Sequence, residues 1–299
     1  MSRNVKLGLI QMTCTDDKQS NIEKAVANIE SLAQSGAQII CTQELYQTPY
    51  FCQVMDDRIF KLAQEIHAES EMVKNLGSLA ADLNVVLIAS LFEKRSVGLY
   101  HNAAVVIDAD GTYLGKYRKM HIPQDPGYTE KYYFTPGDLG YQVFRTKYAD
   151  IGVLICWDQW FPEAARLTAM KGAELIICPT AIGFDPHNKS IEDRKESHAA
   201  WQIVQQGHAA ANACYLAAIN RVGYEKSPEG GKGIQFWGGS FIANTSGQLL
   251  EKASMEKEEN LLCSIDLSRI EEIRNISSYP FRDRRVDSYQ DLTQLYSDK

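Results

Sequence analysis

The stretch LICWDQW, residues 154–160, closes an apolar run on a cysteine and at once sets two tryptophans, an aspartate and a glutamine beside it. Upstream, Ile151, Val153, Leu154 and Ile155 read as a buried strand over residues 151–156. Downstream, Pro162 and Glu163 suit the first turn of a helix beginning near Phe161. Proline has its φ already fixed there, and a carboxylate meets the positive end of the helix dipole. Strand, short turn and helix make one unit of an α/β fold. Cys156 then has two readings. It is a small core residue, as most buried cysteines are, or a nucleophile displayed where strand gives way to helix. A bare thiol ionises near ~8.5, and a neighbouring cation or helix N-terminus lowers that value. Free amides at such a turn also hold an oxyanion.

The pattern repeats outward from this unit. Residues 5–11 and 37–41 read as strands around a helix over 21–33, whose apolar positions Ile22, Ala25, Val26, Ile29, Leu32 and Ala33 recur at helical spacing before Gly36. One or two helices are expected over 58–82. Strands are expected over 85–91 and 103–108, with Asp110-Gly111 as a turn, then over 175–178, 215–220 and 239–243. Ser190-Ile191-Glu192-Asp193 has the form of a capping box opening a long helix to Asn212. Residues 225–233 read as a surface loop and 279–299 as a polar tail. No low-complexity linker or charge block divides the chain, so residues 1–299 are expected to form one α/β domain.

Bulk properties exclude several classes. With 299 residues, 44% of them hydrophobic, the chain buries a sizeable core. A formal charge of −7 argues against nucleic acid or an anionic membrane as partner. No apolar stretch approaches membrane-spanning length and the start lacks the apolar core of a signal peptide. Seven cysteines, odd in number and scattered through apolar runs, have the habit of reduced thiols and point to the cytoplasm. There is no CxxC or HExxH, so no structural metal is expected.

Two further stretches bear on chemistry. In IICTQELYQTPYF, Glu44 follows an apolar strand and is flanked by Leu45 and Tyr46. It is an ordinary loop acid, or a carboxylate whose apolar setting suits general acid–base work. Residues 115–138, GKYRKMHIPQDPGYTEKYYFTPGD, carry Lys116, Arg118, Lys119 and His121, then Glu130 among aromatics. A solvated basic turn is one reading. A long irregular run this rich in aromatics is more often functional, with a lysine serving as a fixed cation toward an oxyanion.

Glu44 after a strand, Lys119 in YRKMHIP and Cys156 in LICWDQWFPEAAR, separated by 75 and 37 residues, resemble the Glu–Lys–Cys triad of the nitrilase (carbon–nitrogen hydrolase) superfamily. The resemblance runs from VKLGLIQM to GGSFIANTSGQLL. It implies a four-layer α-β-β-α sandwich, homo-oligomers built from dimers through the helices, and no cofactor. Glu130 in YTEKYYF matches the additional glutamate near that triad. CWDQWFPEAAR together with PTAIG looks most like the N-carbamoylputrescine amidohydrolase branch. That resemblance implies cysteine-dependent hydrolysis releasing putrescine, CO2 and ammonia. A β-ureidopropionase-like N-carbamoyl hydrolase or an ω-amidase is the alternative.

Other classes fit less well. A dead scaffold would lack one triad member, and none is missing. A nucleotide-binding protein would carry GxxxxGK[ST] or GxGxxG, and a serine hydrolase GxSxG; all are absent. The related D-amino-acid carbamoylases place arginines soon after the nucleophile. Here Trp157-Asp158-Gln159-Trp160 follows it, with no cation before Arg166. A small cationic ureido substrate is therefore expected, with Tyr50, Trp157 and Asp185 as its binding residues. Asp125, Glu192 and Asp193 are further acids within reach of that role.

Overall fold

The computed structural model describes residues 2–184, 190–228, 230–275 and 281–296. The chain begins with β1 (Asn4–Gln11), α1 (Lys18–Gln34), β2 (Ile39–Thr42), α2 (Glu71–Leu83), β3 (Val86–Ser96), β4 (Leu99–Ile107) and β5 (Tyr113–Arg118). A single helical turn, α3 (Glu130–Tyr133), precedes β6 (Val143–Arg145), β7 (Asp150–Val153), α4 (Pro162–Met170), β8 (Leu175–Pro179) and the short β9 (Gly183–Phe184). Then come α5 (Ile191–Asn212), β10 (Tyr215–Ile219), β11 (Val222–Glu225), β12 (Ile234–Trp237), β13 (Phe241–Ala243), β14 (Leu249–Lys252), β15 (Glu259–Asp266) and α6 (Ser268–Asn275).

The strands form two six-stranded sheets, β15-β1-β2-β3-β4-β5 and β14-β13-β10-β8-β7-β6, and a small third sheet, β11-β12-β9. Alternation along each strand sorts its side chains between two layers. Leu7, Leu9, Ile39, Cys41, Val86 and Ile88 share a core with Ile151, Val153, Leu175 and Leu216 of the other sheet. Ile10, Ile40, Leu87 and Ala89 face the opposite way, onto Ala25, Ile29 and Leu32 of α1 and Val73, Leu76 and Ala80 of α2. On the second sheet, Gly152 faces α4, where a Cβ would stand 2.2 Å from Thr168 Cγ2. With α5 packed on β10, the order is helices, sheet, sheet, helices. This is the α-β-β-α sandwich that the resemblance implied.

Local chemistry fixes the element ends. The Asp17 carboxylate accepts from the N–H groups of Gln19 and Ser20 and starts α1. Pro162 opens α4, and Ser190 with Asp193 forms the expected capping box on α5. The strand at residues 151–156 is shorter than its apolar run predicts. Leu154 N–H still donates to the Ile177 carbonyl, but the Asp158 carboxylate takes the Ile155 N–H at 3.0 Å and pulls the chain out of the ladder. Residues 58–82 divide into a 3-10 turn, Asp57–Leu62, and the separate α2. The loop expected over 225–233 starts one residue late, since Glu225 ends β11. In the tail, residues 281–296 carry two 3-10 turns with Val286, Leu292 and Leu295 exposed. Among the described residues no helix is long and apolar enough to cross a membrane.

Trp201 of α5 is fully buried, its ring centre 5.2 Å from Phe241 and 5.8 Å from Trp237. Truncating it leaves a cavity between helix and sheet. Trp201→Ala is expected to cost about 3–5 kcal/mol in urea denaturation; a loss below about 1 kcal/mol would mean that α5 does not anchor this layer.

Candidate active site

Three loops at the same end of the sandwich deliver the candidate residues. Glu44 sits just past β2, Lys119 just past β5, and Cys156 starts a 3-10 turn, Cys156–Trp160, after β7. Glu44 and Lys119 are fully buried. Lys119 Nζ lies 2.9 Å from Glu44 Oε1, and 2.9 and 2.7 Å from the two carboxylate oxygens of Glu130, the first residue of α3. Asn102 of β4 also donates to Glu44 Oε1, at 2.7 Å. Glu44 Oε2 has no hydrogen-bond partner among the described residues. The carboxylate is therefore oriented through one oxygen while the other stays open.

Burial alone would drive the Lys119 ammonium toward its neutral form. The carboxylates of Glu130 and Glu44 outweigh burial and hold its pKa well above that of a free lysine. Glu130 moves the other way from an ordinary carboxyl: burial, opposed by Lys119 and reinforced by Glu44, raises it to about 7. The Cys156 thiol is pushed well above its ordinary value, first by burial and then by the Glu44 charge, against the pull of Lys119. This reverses the lowered thiol pKa that a helix N-terminus would bring. The following helix, α4, begins only at Pro162, and Cys156 lies in a pocket of net acidity. A resting thiol in this setting is neutral and needs a base to become a nucleophile.

The backbone around the three residues is constrained. Cys156 and Leu45 have φ of 46° and 49°, in the left-handed region that side chains disfavour. Asp158 fixes the first of these turns. Its Oδ2 accepts from Ile155 N–H at 3.0 Å and from the Tyr117 hydroxyl at 2.7 Å. Its Oδ1 faces the backbone N–H and Nδ1 of His121, at 2.9 and 2.7 Å. His121 in turn stacks on Phe161, 3.7 Å between ring centres. One buried carboxylate thus links the cysteine turn to the lysine loop. Lys119 itself is set by its N–H to Asn102 O and by its carbonyl, which accepts from Gly137 N–H at 2.8 Å. A Cβ at Gly137 would stand 2.1 Å from the Arg118 carbonyl oxygen, so this approach needs glycine.

Cys156 opens onto a cavity of about 430 Å³. Its aromatic walls are Tyr128, Trp157, Trp160, Phe184 and Trp237, and Asp125 is the one charged residue among the described lining. Trp157 thus lies where a substrate contact was expected. Tyr50 does not line this cavity: it is fully buried, with its hydroxyl donating to Glu130 Oε1 at 2.6 Å. Asp185 falls outside the described residues. Asp193 is engaged in the α5 capping box, and Glu192 is exposed on that helix. A larger cavity, about 760 Å³ between α1 and α2, holds none of the candidate residues. Asn102, within β4, and Tyr117, near the end of β5, gave no local signal in the sequence, because each meets its partner at the site only across the fold.

A family model described as carbon-nitrogen hydrolase matches residues 6–275. The chain belongs to this family. It is 44% identical over 296 residues to an N-carbamoylputrescine amidase of Solanum lycopersicum, covering 98% of this chain and 96% of that one. It is 41% identical over 293 residues to a citrullinase of Francisella tularensis, covering 98% and 99%. A crystal structure of a carbon-nitrogen hydrolase from Helicobacter pylori superposes with a TM-score of 0.93 at 45% identity, over 98% of this chain and 100% of that chain.

Because Glu130 takes up its proton near neutrality in this hydrolase, and near 4.5 in an unfolded chain, the folded state binds the extra proton between those values. The stability that this proton carries is complete below about pH 4.5 and lost as pH rises through about 7. Glu130→Gln keeps a neutral side chain throughout. Its melting temperature relative to wild type is expected to rise from pH 5 to pH 8; a difference independent of pH would remove the assignment.

Proposed function

We propose that this carbon–nitrogen hydrolase hydrolyses N-carbamoylputrescine to putrescine, CO2 and ammonia through a Glu44–Lys119–Cys156 triad, with Glu130 in support. The observation that carries the reading is the cavity beside Cys156, lined by five aromatic rings and Asp125, with no lysine or arginine among its described lining. A ureido head reaches the thiol there, while an alkylammonium tail meets a carboxylate and π-faces. The likeness to plant N-carbamoylputrescine amidases over nearly the whole chain supports the same substrate.

In this mechanism Glu44 Oε2 takes the Cys156 proton as sulfur attacks the ureido carbon. Lys119 and the backbone N–H after Cys156 stabilise the oxyanion. Collapse expels one nitrogen with the proton held on Glu44 and leaves a thiocarbamate. Glu44 then takes a proton from water, which attacks the same carbon, and returns it to the Cys156 sulfur as the C–S bond breaks; the carbamic acid formed loses CO2. Whichever nitrogen leaves first, one substrate and one water yield one putrescine, one CO2 and one ammonia.

Cys156→Ala is expected to abolish ammonia release with the fold retained, and Cys156→Ser to retain little, since a hydroxyl ionises far less readily than a thiol. Full turnover by Cys156→Ala would exclude the mechanism.

A second substrate reading has its own support. The citrullinase relative is nearly as similar, and the Arg194 guanidinium lies 5.4 Å from the ring centre of Phe184, a wall of the cavity. Citrulline offers a carboxylate to that arginine as well as an ammonium. Under the main reading, kcat/KM for N-carbamoylputrescine exceeds that for citrulline and for N-carbamoyl-β-alanine by at least about a hundredfold, because an unpaired carboxylate in this lining is costly. Assaying ammonia with the three compounds decides it. A preference for citrulline that Arg194→Ala removes would establish the second reading instead.

We further propose that the chain works as one domain, in a reducing compartment such as the cytoplasm, and as homo-oligomers built from dimers. The seven cysteines are all unpaired. Leu167 and Met170 of α4 and Ile191 and Ile203 of α5 are exposed on the outer helical layer, which is where a dimer contact through the helices would lie.

A further inference from the structure

Residues 43–50, the segment that carries Glu44, lie between β2 and the next turn without forming strand or helix, yet nearly all are buried. Buried carbonyls in such a segment need donors. Asn21 supplies one, to Gln47 O at 3.0 Å, and a single side chain supplies three of the others. Arg221, fully buried between β10 and β11, donates through Nη2 to the carbonyls of Glu44 and Leu45, both at 3.0 Å. Through Nη1 it donates to the carbonyl of Thr48 at 2.9 Å and to Glu225 Oε1 at 2.6 Å. The other oxygen of Glu225 accepts from the N–H of Tyr50 at 2.6 Å. The Tyr50 hydroxyl, in turn, donates to Glu130.

From this we infer that Arg221 and Glu225 are positioning residues of the hydrolysis: one buried ion pair sets both carboxylates that flank Lys119, Glu44 through its own backbone and Glu130 through Tyr50. Leu45, held at a φ of 49°, is one of the three residues whose carbonyls Arg221 captures. Without that hydrogen bond the left-handed turn relaxes and swings the Glu44 carboxylate away from sulfur. A planar guanidinium is required, since only its fork of donors reaches three carbonyls and a carboxylate at once. Neither residue lines the cavity at Cys156, so their effect falls on proton transfer rather than on substrate binding.

The inference rests on Glu44 as the base for Cys156, and both are tested by the rate at which iodoacetamide inactivates the full-length protein. Four proteins are compared: wild type, Glu44→Gln, Arg221→Lys and the double variant. Glu44→Gln is expected to slow alkylation at least about tenfold. Arg221→Lys is expected to slow it about tenfold in the wild-type background and less than about twofold in the Glu44→Gln background, because the two act on one proton. In turnover, Arg221→Lys is expected to lower kcat about tenfold while KM stays within about threefold. Equal slowing in both backgrounds, or a wild-type rate in Arg221→Lys, would overturn the positioning role and leave the base intact. A wild-type rate in Glu44→Gln would overturn both. Should Arg221→Lys fail to fold, the isosteric Glu225→Gln carries the same cycle with the same criteria.

Discussion

The ammonium of Lys119, sealed from water between Glu44 and Glu130, is the constraint on which the rest of the site depends. Burying one charge costs several kcal/mol unless partners of the opposite sign are already in place. Here two carboxylates are present for one cation, so the lysine stays charged and the cost passes to Glu130, whose proton affinity rises into the neutral range. The cluster keeps a residual acidity that Cys156 also feels. Its thiol is held neutral, in contrast to the preformed thiolate of redox cysteines. Chemistry in such a site begins with a proton transfer to a base already within the cluster.

Holding three such groups together places heavy demands on the loops. None of them lies within a strand of the sandwich. They sit just beyond strand ends, and a buried ionic group organises two of the three turns. Asp158 gathers the cysteine turn, Tyr117 and His121. Arg221 gathers the carbonyls after β2. Two of the four non-glycine residues with positive φ among the described residues, Leu45 and Cys156, occur at these turns. Strain of this kind persists only where surrounding contacts over-determine the backbone. The stacked sheets supply that rigidity, with a hydrophobic core between them and a buried link from Ser240 to Gln11 Oε1 of β1.

Substrate recognition is a separate matter from the triad. The cavity walls come from the short β9, the loop before α3, the turn after Cys156 and β12, rather than from the central sheets. Gly183 in β9 is forced by the approach of β12, where a Cβ would lie 2.4 Å from the Gln235 carbonyl oxygen. The small third sheet thereby brings Phe184 and Trp237 over the cysteine. The rim can therefore change without disturbing the buried cluster. That separation is why the two substrates proposed above are told apart by Asp125 and Arg194, at or beside this rim.

Much of this was written locally in the chain. The apolar runs set the central strands, the apolar spacing set α1 and the capping box set the start of α5, and the order of Glu44, Lys119, Glu130 and Cys156 marked the family and its reaction. Such features depend on near neighbours, so a sequence displays them directly. β15 pairs antiparallel with β1 from the far end of the chain, and its short alternation does not reveal an edge strand until its partner is known. The sign of the Cys156 pKa shift likewise depends on how many charges burial brings to the same place. Local reading saw a helix N-terminus ahead; the tertiary fold supplied Glu44 from 112 residues upstream in the sequence. The roles of Asn102, Tyr117 and Arg221 became legible only there too, because their hydrogen bonds join residues 41 to 177 positions apart and leave no pattern between neighbours in the chain.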